Sequence, residues 1–249
     1  MEGYILVNKT AGITSHDVVD RVRKATSEKR VGHAGTLDPF ATGLLVVGVG
    51  RPATREFQKL VGLQKEYEAV FVLGATTDTD DCMGKIIETD MVVAPFRVRS
   101  NERRLKPAAT ELEIKENMQS FMGEIEQVPP QYSAIKIKGQ KMYESARKGK
   151  RVEAKPRKVT IYEFELLDQN PPLIPPYKGG KLTTIIKVRI ACSSGTYIRA
   201  MARDMGGYVQ ELNRTKIGPF SISEATSLEN IEKNQEKYLL PISSIFDRL

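Results

Sequence analysis

The sequence predicts an α+β fold: a mixed, mostly antiparallel sheet flanked by helices and loops. Three observations lead there. Short apolar runs of strand character and stretches of helical period follow one another without the strict strand–helix–strand alternation of a doubly wound sheet. The 249 residues are 40% hydrophobic and 28% charged, an ordinary globular composition. That length buries a sizeable core, in one large domain or a main domain with a small appendage.

The elements follow in chain order. Tyr4-Ile5-Leu6-Val7 is an apolar run that reads as a first strand. Turn residues follow at Lys9-Thr10-Ala11-Gly12. Thr14 stands three residues before Asp17, a capping-box spacing, and Val18, Val19, Val22 and Ala25 continue at helical intervals, predicting a helix over 15–26. Residues 29–43 have no clean period and read as a structured loop. Leu44 to Val49 is a buried strand, 53–62 is helix-compatible, and Tyr67 to Leu73 reads as strand. An acidic loop, Thr76 to Gly84, comes next. Residues 94–109 look like a basic surface insertion, and 111–121 fit a short helix. Residues 128–132 are irregular, and 142–148 form a short helix. Strands are expected at 158–167 and 182–192, separated by a Pro/Gly-rich loop over 170–180. A helix is expected from Thr196 to about Val209. The tail from Ser221 carries Leu228, Ile231, Leu239, Leu240, Ile242 and Ile245, spaced to fold back onto the rest.

Composition narrows the chemistry. Two Cys and two His, with Cys82 and Cys192 far apart, nearly exclude a tetrahedral zinc site and a disulfide framework, so no metal is expected. No signal peptide is apparent, and no stretch approaches the roughly 18 apolar residues of a membrane helix. A cytoplasmic protein without membrane contact is the expectation. The net charge of +7 is unevenly placed. Residues 136–158 hold ten Lys/Arg against two Glu, and 97–106 hold five against one, so the remainder is mildly acidic. Such segments suit a polyanion, an anionic membrane surface, or simply a solvated face.

Two stretches can carry chemistry. Gly32-His33-Ala34-Gly35-Thr36-Leu37-Asp38-Pro39-Phe40-Ala41-Thr42-Gly43 puts a carboxylate beside one of the two histidines on a glycine-rich loop. Asp38 there can be nucleophile, base or metal ligand, or a turn residue bonded to its own backbone. The loop lacks the Gly-Lys-Ser/Thr ending of a phosphate cradle. Cys192-Ser193-Ser194-Gly195-Thr196-Tyr197-Ile198-Arg199-Ala200 joins a strand to a helix that Thr196 would cap. Tyr197 and Arg199 then fall at the first turn, and an arginine facing a buried aspartate holds it ionised. Taken singly, Arg199 reads equally as a surface arginine, and Tyr197 and Tyr67 as core aromatics.

The Gly-His-Ala-Gly-Thr-Leu-Asp-Pro-Phe-Ala-Thr-Gly run closely resembles the catalytic loop of the TruB family of tRNA pseudouridine synthases. Asn8-Lys9-Thr10-Ala11-Gly12-Ile13-Thr14-Ser15, Lys65-Glu66-Tyr67, Gly195-Thr196-Tyr197-Ile198-Arg199 and Arg214-Thr215-Lys216-Ile217-Gly218-Pro219-Phe220 resemble the family's other blocks, in the family's order. Pro129-Pro130-Gln131-Tyr132-Ser133-Ala134, with Lys136 and Lys138, is similar to the bacterial branch. The resemblance covers about residues 3 to 222.

It implies a pseudouridine synthase fold, a single catalytic domain over 1–249 with a basic RNA-clasping insertion over about 128–158. The implied reaction is cofactor-free isomerisation of one uridine in the TΨC arm of tRNA. Asp38 matches the catalytic aspartate, acting either by attack at C1′ or by proton removal from C2′. Arg199 matches the arginine that pairs with it, and Tyr67 the tyrosine that stacks on the target base. His33 matches a histidine that helps hold the flipped-out RNA. Tyr197 is expected beside the uracil, and Lys9 on a segment bracing the catalytic loop. Lys136, Lys138, Arg147, Lys148, Lys150 and Arg151 would supply phosphate contacts. A monomer without an obligate protein partner is expected. With so short a tail, no full PUA-type domain of the kind many relatives carry is expected. Two competing readings are a catalytic subunit of a guide-RNA pseudouridylation complex and a non-catalytic RNA-binding or folding module.

Overall fold

The computed structural model describes residues 1–87, 110–133, 154–167 and 183–249, with the backbone of 136–137, 140–141 and 173–174. The elements run β1 (Gly3–Lys9), α1 (Ser15–Thr26), β2 (Val31–His33), β3 (Thr42–Val49), α2 (Arg51–Arg55), α3 (Phe57–Val61) and β4 (Lys65–Leu73). Next come β5 (Thr76–Thr77), β6 (Ile86–Ile87), α4 (Glu111–Gln119), β7 (Gly123–Gln127), β8 (Lys136–Ile137), β9 (Gln140–Lys141), β10 (Arg157–Leu166), β11 (Leu173–Ile174) and β12 (Thr183–Cys192). The chain ends with α5 (Ile198–Asp204), β13 (Gly207–Ile217), β14 (Phe220–Ser221), α6 (Leu228–Lys233) and α7 (Ile242–Phe246). The expected helix at 142–148, the insertion at 94–109 and most of the loop at 170–180 lie outside the described residues. Two compact units divide the chain: Met1–Glu68 with Leu212–Leu249, and Ala69–Glu211.

In the first unit β1 pairs antiparallel with β3 along its whole length, and β3 pairs parallel with β13 at Thr42–Asn213 and Gly43–Arg214. Alternate residues of β1 enter two cores. Ile5 and Val7 pack with Val18 and Val22 of α1 and Leu228 and Ile231 of α6. Tyr4 and Leu6 pack with Leu44, Val46, Leu60, Phe220 and Ile245 on the other face. A strand apolar on both faces is the signature of a covered sheet, so the run Tyr4–Val7 is legible without any alternation. Helix α1 begins on the Thr14–Asp17 capping box, with both reciprocal hydrogen bonds made. The tail does fold back: Tyr4 bridges to Leu240 and Val7 to Thr226. Instead of one helix over 53–62 there are two short ones, because Glu56 leaves helical geometry and its N–H closes a tighter turn on the Ala53 carbonyl.

In the second unit β12 pairs antiparallel with β10, and β10 with β7. The rings of Phe71 and Phe121 both meet Phe164 edge-on, at 6.4 and 6.1 Å. The helix expected to run to Val209 stops at Asp204. Gly206 adopts φ +87°, and Gly207 lies so close to the Val72 carbonyl that a Cβ would sit 2.3 Å from it. The chain therefore leaves the helix and enters β13, a strand the sequence pattern hides. Thr196 does not cap α5. Its hydroxyl donates to the Ser193 carbonyl, and Tyr197 is the N-cap, without a side-chain cap bond.

Candidate active site

In the first unit the site is built around the loop from His33 to Gly43. Asp38 is half-buried on it, and Asp38 and Ala41 close a turn through the Ala41 N–H and the Asp38 carbonyl at 3.1 Å. Three anchors hold this loop from below. Ser15 Oγ donates to the Leu37 carbonyl at 3.0 Å and accepts from the Leu37 N–H at 2.9 Å. Lys9, at the end of β1, is fully buried, and its ammonium donates to the carbonyls of Thr10, Pro39 and Ala41 at 2.9, 3.3 and 2.6 Å. Arg214 on β13, 1% exposed, donates to the carbonyls of Leu44 at 2.8 Å, Gly35 at 3.1 Å and Thr36 at 3.5 Å. Gly43 makes this approach feasible: its φ is +107°, and a Cβ there would sit 2.4 Å from the Arg214 carbonyl.

The two cations are close enough to sense each other. Burial pushes the Lys9 ammonium down to about 8; the Asp38 carboxylate opposes this and Arg214 adds to it. His33 ends β2 and is lowered below its usual range by burial, with Arg214 acting in the same direction, so its imidazole is neutral at pH 7. Its Nδ1 is buried without a hydrogen-bond partner. Tyr67, third in β4, is 8% exposed. Lys9 thus spends its donors on the loop that carries Asp38, not on the surface.

In the second unit Tyr197 is half-buried and Arg199 is 4% exposed. Arg199 donates to the carbonyls of Thr79 and Tyr132, both at 2.9 Å, and approaches the Asp81 carboxylate at 3.5 Å. One turn on, Arg203 donates to Asp80 at 3.0 Å, Asp204 at 3.1 Å and the Val128 carbonyl at 2.8 Å. Burial pushes Asp80 up to about 6, with Arg203 and Arg199 pulling it back. The acidic loop, unassigned from sequence, is therefore the counter-charge to the cations of α5. Sequence reasoning also missed Arg214, whose block it matched without giving it work, and Gln127, which lies in an unremarked strand. The signal available for Asp80 and Asp81 was two adjacent carboxylates in a loop that also offers Thr77 and Thr79 to hold them.

Lys136 is placed in β8 by its backbone alone, and Lys138, Arg147, Lys148, Lys150 and Arg151 lie outside the described residues. Among the described residues no group of three or more His, Cys, Asp or Glu converges as a metal site, and no helix is long and apolar enough to cross a membrane.

A mixed sheet flanked by helices places the chain in the fold class of the pseudouridine synthases. The chain is similar over 94% of its length to a chain of a solved Cbf5-Nop10-Gar1 complex, with TM-score 0.63 and 27% identity, and spans 54% of that chain. A model of the TruB family of pseudouridylate synthases, N-terminal domain, matches residues 23–198, and the chain belongs to that family. Curated relatives include tRNA pseudouridine synthase B of Aquifex aeolicus, 41% identical over 99% of this chain and 79% of its own. That of Thermobifida fusca is 42% identical over 92% and 74%.

Proposed function

We propose that this pseudouridylate synthase isomerises one uridine in the T arm of tRNA to pseudouridine, without a cofactor and without a protein partner, as a cytoplasmic monomer. The observation that carries the reading is the 41% identity to a tRNA pseudouridine synthase B along 99% of the chain. The braced Asp38 loop supplies its chemistry. The target base must leave the stack before its C1′ is reachable, at a cost of a few kcal/mol. Asp38 is the reacting carboxylate, Tyr67 stacks on the uracil, and Arg199 matches the family arginine that serves that carboxylate. Tyr197 packs beside the base, and neutral His33 helps hold the flipped arm. The N1–C1′ bond breaks and C5 bonds to C1′. The proton released from C5 is balanced by the one taken up at N1, so no oxidant or co-reactant is consumed. Stacking of this kind is worth roughly 1–3 kcal/mol.

The basic segment over about 128–158 grips phosphates of the arm, which RNA presents by shape and backbone rather than by sequence. The test is tritium release from 5-³H-uridine in a T-arm stem-loop by the protein alone, with Asp38→Asn as control. Release by wild type and none by the variant is the expected result. Binding without release by the wild type sinks the enzymatic reading. Release only when a guide RNA and further proteins are added would favour the subunit of a guided complex.

A further inference from the structure

The segment expected to grip RNA starts and ends on one pair of strand residues. Gln127 closes β7, Arg157 opens β10, and the two are register partners, so residues 128–156 form a long excursion from a single rung of the sheet. Gln127 is 2% exposed, and its side chain reaches the peptide of Tyr197. Its Nε2 donates to the Tyr197 carbonyl at 3.0 Å, and its Oε1 accepts from the Tyr197 N–H at 2.8 Å. An amide clamped onto both polar groups of one residue fixes that residue's position and orientation together.

This clamp matters because of where Tyr197 sits. It is the N-cap of α5, at φ −102° and ψ 108°, and no side chain caps the helix there. Its carbonyl also accepts the Met201 N–H at 3.2 Å, the bond that starts the helix. Gln127 Oε1 thus takes the N-cap N–H that the N3 side chain of a capping box would otherwise satisfy, and does so from another strand. Two further ties join the same stretch to α5: Arg203 to the Val128 carbonyl and Arg199 to the Tyr132 carbonyl. The base of the excursion and its first residues are thereby fastened to the helix that carries Tyr197 and Arg199.

We infer that Gln127 is a positioning residue that couples the base of the RNA-gripping excursion to the orientation of Tyr197 and Arg199. The inference rests on the proposed roles of those two residues. A pull on the excursion by bound RNA reaches the uracil-facing residues through the Gln127 amide. Loss of the amide leaves RNA held but the base poorly oriented, and takes the Gln127 acceptor from the Tyr197 N–H.

The test is single-turnover isomerisation of a T-arm stem-loop together with its equilibrium binding. Gln127→Leu should lower the single-turnover rate tenfold or more while Kd stays within twofold. Gln127→Glu keeps the acceptor for the Tyr197 N–H and loses the donor, so its rate should fall between. Val159→Ala, a cavity in the paired strand, shows how far lost stability alone moves the rate. A wild-type rate for Gln127→Leu, or a loss that Val159→Ala matches at equal Tm, overturns the inference. Hydrogen exchange gives a readout independent of turnover. RNA should protect peptides spanning 195–201 in the wild type and fail to do so in Gln127→Leu at saturating RNA; equal protection in both also overturns it. If wild type binds RNA but releases no tritium, the proposed function fails, and the exchange comparison still decides the coupling.

Discussion

Replacing Arg214 by methionine removes the guanidinium that ties β13 to the catalytic loop while keeping a side chain of similar length. Two good charge-assisted hydrogen bonds vanish, to the Leu44 and Gly35 carbonyls, with a longer one to Thr36. Each bond of this type contributes about 1.5–3 kcal/mol net, and the carbonyls left behind are buried. Relief from holding a cation out of water offsets part of this loss. The expected destabilisation is about 3–5 kcal/mol, which for a chain of this size lowers Tm by about 10 °C. Arg214→Lys keeps the charge but not the planar fork, so it should recover only part. Urea unfolding measures both, read at unchanged slope so that only stability is compared. Isomerisation should fall with the stability of the loop, because Asp38 rides on it. A midpoint for Arg214→Met within about 1 kcal/mol of wild type would refute the idea that this cation holds the loop.

Two other expectations use the second unit. Asp80 has a folded-state pKa of about 6 against 3.8 for the free group, so its contribution to stability is complete below pH ~4 and is lost as pH rises through 6. Relative to Asp80→Asn, the wild type should therefore gain about 1.3 kcal/mol of stability on acidification from pH 7 to 5; a difference running the other way would mean that Arg203 outweighs burial. Neutralising Arg147, Lys148, Lys150 and Arg151 together should weaken RNA binding and flatten its salt dependence by about 0.7–0.9 log units per log salt for each phosphate no longer neutralised, and an unchanged slope removes that segment from the interface.

What the sequence revealed divides along local and non-local lines. Helix α1 was legible to the residue, because its cap, Thr14 with Asp17, and its apolar face lie within one stretch of chain. Strands β1 and β3 were legible because both their faces are apolar. Strand β13 was not, since its inward residue at the catalytic loop is Arg214, and an arginine at a core position breaks the pattern that identifies a strand. Its neighbour Gly206 was likewise passed over as helix, although a glycine pair is a local stop signal. The Asp38 loop stood out through its glycines and its family resemblance. The residues that brace or orient it did not, because Lys9 to Ala41 and Gln127 to Tyr197 are ties across 32 and 70 positions. Such ties leave no periodic mark.

The first unit is assembled from Met1–Glu68 and Leu212–Leu249, with 143 residues of chain between the two pieces. During synthesis its opening strand cannot complete its surroundings when it emerges. Leu240, Thr226, Ile231 and Arg214 all have yet to be made, and at about 5–20 residues per second they arrive roughly 10–45 s later. Through that interval a strand apolar on both faces waits with its covering layers incomplete, a state prone to pairing with other nascent chains. The Asp38 loop, which needs Arg214 for its floor, is therefore among the last parts of the protein to become competent.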